Sequence, residues 1–272
     1  MSALSHEGAT PKQLDRTRYV LEFCDDFEEP NLDTSKWIPS YLPQWSSTER
    51  AQARFSIKSG MLTLLIEEDQ EPWSPKYNGG LRVSNLQTGV FSGPAGSTIG
   101  QHKFAPGLRV SQAQNEQRLY TPHYGLVEAR IAASADPASM VALWMIGFED
   151  LPERSGEICI FEIFGSDVGL NTATTGVGIH PFGDPLLQDE FLKIQLAADV
   201  TDFHVYSAEW TPENVRFYFD DQLVARIEQS PDYPMQLMLN IYEFEGTPTP
   251  PYPKEFRVDW VRGYRPAEAF QL

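Results

Sequence analysis

Glu157 and Glu162 lie five residues apart in a short apolar run and are the side chains most suited to chemistry. Because strand side chains alternate between the faces of a sheet, an odd separation places the two carboxyls on opposite faces. One extra residue in the strand, a β-bulge, brings both carboxyls to the same face, and bulges are frequent beside active sites. Two carboxyls on one face of a cleft are what a retaining glycosidase needs, one to attack the sugar and one to transfer the proton. The alternative is that one glutamate faces a cleft and the other faces solvent on the back of the sheet.

Short apolar runs separated by turn residues predict that the pair sits in an all-β protein. Strands are predicted at residues 19–23, 55–58, 61–66, 125–132, 215–219 and 256–264. Residues 88–107 are rich in glycine and small polar side chains, and a loop of that length is often functional. Asp220 and Asp221 are predicted at a hairpin turn, because aspartate tolerates left-handed backbone geometry. There is no helical periodicity, internal repeat or linker.

Composition predicts one soluble domain over residues 18–272, preceded by a flexible N-terminal tail at 1–17. Of the 272 residues, 41% are hydrophobic and 12% aromatic, which is typical of a packed core. The net charge of −17 disfavours nucleic acid as a partner, because phosphates would be repelled. It also disfavours anionic polysaccharides, so a neutral glycan is the expected partner. The chain is expected to be a monomer.

Other classes of protein are disfavoured by what the sequence lacks. No apolar stretch is long enough to cross a membrane. Two cysteines, Cys24 and Cys159, are too few for a disulfide framework, and a bridge between them is not expected. The first residues carry no basic and apolar leader pattern, which predicts a cytoplasmic protein unless a leader was removed.

Residues 157–162 read E-I-C-I-F-E and resemble the E-x-D-x-x-E signature of glycoside hydrolase family 16, in its bulged, laminarinase-type form. Six further segments are similar to landmarks of that family and occur in the same order: 25–37, 124–131, 142–145, 203–210, 215–219 and 258–261. The resemblance implies a concanavalin A-like β-sandwich, a jelly roll of two antiparallel sheets with a concave glycan-binding cleft. One position departs from the pattern, because Cys159 stands where the family has aspartate.

The resemblance implies that Glu157 is the nucleophile and Glu162 the acid/base, with Cys159 between them. The acid/base must start protonated, and the neighbouring Glu157 would raise the pKa of Glu162. A thiol is a weak donor with little charge near neutrality, so Cys159 cannot replace the support that an aspartate gives. We therefore expect a weakened or retuned hydrolase. The alternative is a non-catalytic, lectin-like glycan binder on the same fold.

Candidate glycan contacts also follow from the resemblance. Trp144 is similar to the sugar-stacking tryptophan of the family, with a core tryptophan as the alternative. His180 is similar to the cleft histidine of the family, although Pro181 replaces the aromatic residue often found next to it. Further candidate contacts are Arg82, Asn240, Tyr41 and Trp45.

The expected reaction is retaining, endo-acting hydrolysis of a polysaccharide or oligosaccharide, most simply a β-1,3-glucan. It requires no cofactor. The resemblance allows a structural calcium ion held by oxygens of Glu28, Gly60 and Asp259, oxygen being the ligand that calcium prefers.

Overall fold

The computed structural model describes residues 13–244 and 250–268, and most of its secondary structure is strand. Eight strands form the back sheet: β1 (Tyr19–Asp25), β2 (Arg54–Ile57), β3 (Leu62–Ile66), β7 (Gly125–Ala132), β13 (His204–Trp210), β14 (Val215–Phe219), β15 (Gln222–Ile227) and β17 (Lys254–Pro266). Seven strands form the front sheet: β4 (Arg82–Gln87), β8 (Ser139–Gly147), β9 (Glu157–Phe164), β10 (Val168–Gly169), β11 (Thr172–His180), β12 (Glu190–Leu196) and β16 (Met235–Glu243). The predicted jelly roll of two antiparallel sheets is confirmed.

The remaining elements are short. A two-stranded ribbon joins β5 (Gly89–Val90) to β6 (Gln117–Arg118), and the α-helices are α1 (Thr48–Ala51) and α2 (Pro75–Asn78). Single turns of 3₁₀-helix lie at Arg16–Arg18, Pro43–Trp45 and Gly165–Asp167. Across residues 13–244 and 250–268, no helix has the length and apolar character needed to cross a membrane.

The centre of the front sheet is buried on both faces, and this explains why β8 is an uninterrupted apolar run. Val141, Leu143 and Met145 point into the core between the sheets. Ala142 and Trp144 point the other way, into a second apolar cluster under the loops that cover the front sheet. Strands buried on both faces lose the alternation of apolar and polar residues. The loops over this outer face leave a cleft open at its centre.

The 88–107 excursion packs onto the front sheet through Gln101. Its side-chain amide donates to the carbonyl of Phe148 at 3.0 Å and to the side chain of Gln236 at 2.6 Å. Its backbone carbonyl accepts the indole N–H of Trp45 at 2.7 Å. These buried hydrogen bonds fix the chain at the point where the next residue, His102, reaches the cleft.

The predicted hairpin is confirmed: β14 and β15 are joined at Asp220 and Asp221, whose φ angles are 45° and 66°. Both cysteines are free, as expected. Cys24 lies on the back sheet and its thiol contacts Asp26.

The predicted flexible tail is wrong for residues 13–17, whereas residues 1–12 lie outside the described part of the chain. Leu14 is buried, and its N–H donates to the carbonyl of Asp221 at 2.9 Å. The Arg16 guanidinium pairs with the buried carboxylate of Glu128 at 2.7 Å and with Asp221 at 2.6 Å. A buried carboxylate requires a partner, and Arg16 supplies it.

Candidate active site

A cleft of about 640 Å³ opens on the outer face of the front sheet. Its floor is formed by β8, β9 and β11, and the covering loops form its walls. The lining includes the two glutamates and the cysteine of the signature together with several aromatic side chains: Tyr41, Trp144, Glu157, Cys159, Glu162, His180, Phe182, Tyr242 and Phe244.

A β-bulge at Ile160 places both glutamates in the cleft. Along the β8 side, Leu143 pairs with Phe161 and Trp144 pairs with Cys159, so Ile160 is the extra residue. Ile160 and Phe161 both point into the core, and the alternation of faces resumes with Glu162 on the cleft side. The bulge is where the five-residue spacing predicts it. The reading that puts one glutamate on the back of the sheet is therefore wrong.

Burial raises the pKa of Glu157 to about 8, and the carboxylates of Glu162 and Asp189 contribute. Like charges that share a site disfavour ionisation, so the pair retains a proton near neutral pH.

Cys159 is buried at the cleft floor between the two glutamates. Burial and the neighbouring Glu157 and Glu162 raise the pKa of its thiol well above the ordinary value, so the thiol is neutral. Its sulfur lies 4.0 Å from the carbonyl oxygen of Gly176, a weak contact. Neither carboxyl therefore receives from Cys159 the charge that an aspartate would supply.

Lys193 approaches Glu162 from the neighbouring edge of the sheet. Its Nζ lies 3.5 Å from Glu162 Oε1, and Gly176 of β11 stands between them as the pairing partner of both residues. A Cβ at Gly176 would lie 2.4 Å from the ring of Phe191. The missing side chain leaves room for residues of β12 to reach across β11 toward the carboxyl pair.

His180 pairs with Glu157 across β9 and β11, and its side chain lines the cleft. Its Nδ1 lies 2.5 Å from Asp189 Oδ1, and its ring stacks on Phe191 with centroids 4.9 Å apart. These two contacts fix the orientation of the imidazole beside Glu157.

Aromatic side chains line the rest of the cleft. Trp144 lies beside the carboxyl pair, with the His102 ring 5.0 Å from its own. Tyr41 also lines the cleft, held edge-on by Trp73 and Tyr242. Rings in such positions present apolar faces suited to a pyranose.

Three predicted glycan contacts lie behind the cleft wall, and this part of the prediction is wrong. Trp45 is 1% exposed, because its indole is used to hold Gln101. Asn240 is fully buried and donates to Asn85 at 3.1 Å and to Tyr242 at 3.0 Å. Arg82 pairs with Glu243 at 2.5 Å and with the Tyr252 hydroxyl at 2.8 Å, so its donors are used inside the protein.

The positions considered for calcium fit only in part. The Glu28 carboxylate packs against Gly60, since a Cβ there would lie 2.9 Å from Glu28 Oε1. The Asp259 carboxylate instead pairs with the guanidinium of Arg130. Among residues 13–244 and 250–268, no group of three or more His, Cys, Asp or Glu side chains is placed to hold a metal ion. A structural calcium here stays a prediction, and it would have to use backbone oxygens or share Asp259 with Arg130.

The sequence did not indicate His102, Asp189 or Lys193. Asp189 and Lys193 reach the site because β12 pairs with β11. No local sequence motif predicts this pairing. A signal was present in the alternate glycines of β11, Gly176 and Gly178, since glycine in a strand often marks a close approach.

Comparison with known proteins agrees with this site. Residues 109–262, which contain the carboxyl pair, match the family described as "Glycosyl hydrolases family 16". A beta-glucanase of Rhodothermus marinus is 30% identical over 173 residues, 52% of this chain and 57% of the relative. The chain thus spans little more than half the length of that relative.

Solved structures show the same fold. The GlcNAcα1-4Gal releasing endo-β-galactosidase from Clostridium perfringens superposes with a TM-score of 0.82 at 31% identity, over 97% of this chain and 65% of that one. The catalytic domain of an endo-1,3-β-glucanase (laminarinase) from Thermotoga petrophila superposes with a TM-score of 0.64 at 18% identity, over 92% and 99% of the two chains. With the bulged carboxyl pair and the match over more than half of its length, the chain belongs to glycoside hydrolase family 16.

Proposed function

We propose that the chain is a retaining endo-glycosidase that cleaves a neutral β-linked glycan, most simply a β-1,3-glucan. The observation that carries the proposal is the placement of Glu157 and Glu162 on one face of β9, at the floor of an open cleft. A glycan-binding protein without activity has no need for two neighbouring carboxyls, one of which has its pKa raised by burial and by the other.

In the first step, a carboxylate oxygen of Glu157 bonds to the anomeric carbon while the glycosidic C–O bond breaks. Glu162 gives its proton to the departing oxygen. In the second step, Glu162 takes a proton from water, and the water oxygen bonds to the anomeric carbon as the bond to Glu157 breaks. Both glutamates return to their starting states, and the product keeps the β configuration.

Lys193 Nζ lies 3.5 Å from Glu162 Oε1, so a cation lies beside the group that transfers the proton in both steps. The thiol of Cys159 is neutral. The first charged side chain after Glu157 on the cleft face of β9 is therefore Glu162. This arrangement supports the proposal of a retuned hydrolase.

A β-galactoside is the second candidate substrate. The reason is that the endo-β-galactosidase from Clostridium perfringens superposes more closely and over more of this chain than the laminarinase does. The same two steps serve either sugar, so the choice rests on the walls of the cleft. Release of reducing sugar from laminarin, lichenan, agarose, xyloglucan and a glycan ending in GlcNAcα1-4Gal separates the candidates.

Glu157→Gln is the decisive variant for the mechanism. We expect hydrolysis to fall by at least about a thousandfold, because the amide cannot form the covalent intermediate, whereas oligosaccharide binding persists in an unchanged cleft. Reducing-sugar release and calorimetric binding measure the two effects, and proton NMR of the first product reports its anomeric configuration.

Glu213→Gln makes the same chemical change at an exposed position and should leave activity unchanged. An α product, or a Glu157→Gln protein that hydrolyses at the parent rate, would exclude Glu157 as the nucleophile. Binding without hydrolysis in the parent protein would favour the lectin-like alternative.

A further inference from the structure

A second cavity of about 540 Å³ adjoins the cleft, and we call it the side pocket. Phe182 lines both spaces and forms the wall between them. The side pocket is otherwise lined mostly by polar and charged side chains: Lys103, Glu149, Pro152, Glu153, Ser155 and Gly183. Ser155 lies two residues before Glu157, so the side pocket lies beyond the Glu157 end of β9.

Glu149 is a buried carboxyl side chain of this pocket with unused hydrogen-bonding capacity. It is 6% exposed, and its Oε1 accepts the backbone N–H of His102. Within the described residues, no donor reaches its other carboxyl oxygen, Oε2, so this oxygen can accept a hydrogen bond from a group in the side pocket.

The backbone around the side pocket is held in an uncommon conformation at three positions. His102, Glu149 and Phe182 have φ angles of 53°, 56° and 47°, in the left-handed region that residues with side chains rarely adopt. The His102 ring contacts Phe182 at 4.7 Å and Trp144 at 5.0 Å. Ring contacts thus join the wall of the side pocket to the aromatic lining of the cleft.

The charges in the side pocket indicate what it would accept. Glu149 and Glu153 outnumber Lys103, which disfavours a sulfated or carboxylated group. A hydroxyl-rich neutral group could donate to Glu149 and accept from Lys103. It would also lie against the ring of Phe182, which is 45% exposed.

We propose that the side pocket binds a neutral sugar residue of the substrate, adjoining the residue that Glu157 attacks. This inference rests on the proposed glycosidase function and adds a binding position beyond the carboxyl pair. The sugar would be the next unit of the main chain or a branch attached to it, and both have the same hydroxyl chemistry.

Glu149→Gln tests the proposal, because the amide keeps the shape and still accepts the N–H of His102. Hydrolysis of linear β-1,3-gluco-oligosaccharides of increasing length, and of branched laminarin, is measured for the parent and the variant. We expect kcat/KM to fall roughly tenfold once the substrate is long enough, or branched, to reach the side pocket, and to fall less for the shortest substrate. Glu213→Gln is the matched control.

Glu153→Trp is the second variant and tests the same position by blocking the rim of the pocket. Glu153 is exposed, so the substitution does not disturb packing, and Glu213→Trp is its control. A selective loss on linear chains assigns the pocket to the main chain, and a loss on laminarin alone assigns it to a branch.

Different results would contradict the proposed substrate and the proposed role of the side pocket. A parent protein that hydrolyses none of these glycans overturns the proposed substrate. A parent that hydrolyses them, with equal losses at every length in both variants, overturns the side pocket and leaves the catalytic pair intact.

Discussion

At the scale of single residues, the raised pKa values of Glu157, about 8, and Glu149, about 7, affect stability. Both carboxyls titrate near 4.3 in an unfolded chain. The folded protein therefore binds more protons than the unfolded chain between about pH 4.3 and the raised values. Its free energy of unfolding must decrease as pH rises through that window.

We expect the free energy of unfolding to drop by a few kcal/mol, in order of magnitude, between pH 5 and pH 8. Glu157→Gln should remove the share of that drop that belongs to Glu157, because the amide does not titrate. Urea unfolding of parent and variant at both pH values measures it, with Glu213→Gln as control. A variant with the same pH dependence as the parent would show that Glu157 is not the titrating group.

Cys159→Asp tests the supporting residue of the carboxyl pair. A carboxyl in place of the thiol supplies a stronger hydrogen-bonding partner, and we expect turnover to rise by about tenfold or more. The added negative charge should also move the pH profile of activity to higher pH, because it raises the pKa of Glu157 further. Initial rates across pH and a melting curve measure both effects. A folded variant without any gain would show that the cleft is adapted to a neutral thiol.

At the scale of elements, the bulge at Ile160 can be separated from the packing of its side chain. Deleting Ile160 makes the pairing with β8 and β11 continuous. It leaves Glu157 and Glu162 four residues apart, and this even spacing also places both side chains on one face of the sheet. Ile160→Ala keeps the bulge but loses buried side-chain volume.

We expect both changes to cost about 2–5 kcal/mol of stability, because both remove a buried isoleucine side chain. Only the deletion should strongly reduce turnover, because it removes the local kink and extra twist that a bulge gives the strand between the two carboxyls. Denaturant unfolding and kcat give the comparison. Equal turnover in the two variants would mean that the bulge does not set the carboxyl geometry.

The sequence could predict features that depend on local spacing. The parity of Glu157 and Glu162 required the bulge, and Asp220 and Asp221 indicated the hairpin turn. The sequence could not place Lys193 at Glu162 or Arg16 at Glu128, because those contacts join segments 31 and 112 positions apart. The sequence also suggested that Trp45 contacts the glycan. Nothing in its turn-rich segment indicates that its indole N–H donates to the carbonyl of Gln101.

At the scale of the whole molecule, the net charge of −17 bears on substrate choice. A field of that sign lowers the encounter rate with an anionic polymer, and salt weakens the effect as the screening length falls from about 10 Å at 0.1 M to about 3 Å at 1 M. Neutral glycans are not affected by this field.

We therefore expect kcat/KM to be lower on a carboxymethylated β-1,3-glucan than on the neutral polymer, and to recover in part with added sodium chloride. The neutral polymer should show little salt dependence, and it serves as the internal control. Equal rates on the two polymers at low salt would show that local charges in the cleft outweigh the net charge.

The pairing of β1 with β17 has a mechanical consequence. The ladder is antiparallel, with Tyr19 opposite Pro266 at one end and Asp25 opposite Val261 at the other. A force that pulls Tyr19 and Pro266 apart loads the hydrogen bonds one pair at a time, so the two strands separate progressively from that end. Such a geometry yields at low force, because the bonds never share the load as they do in shear. β1 would peel away first, while β9 and its two carboxyls, which belong to the other sheet, remain unloaded.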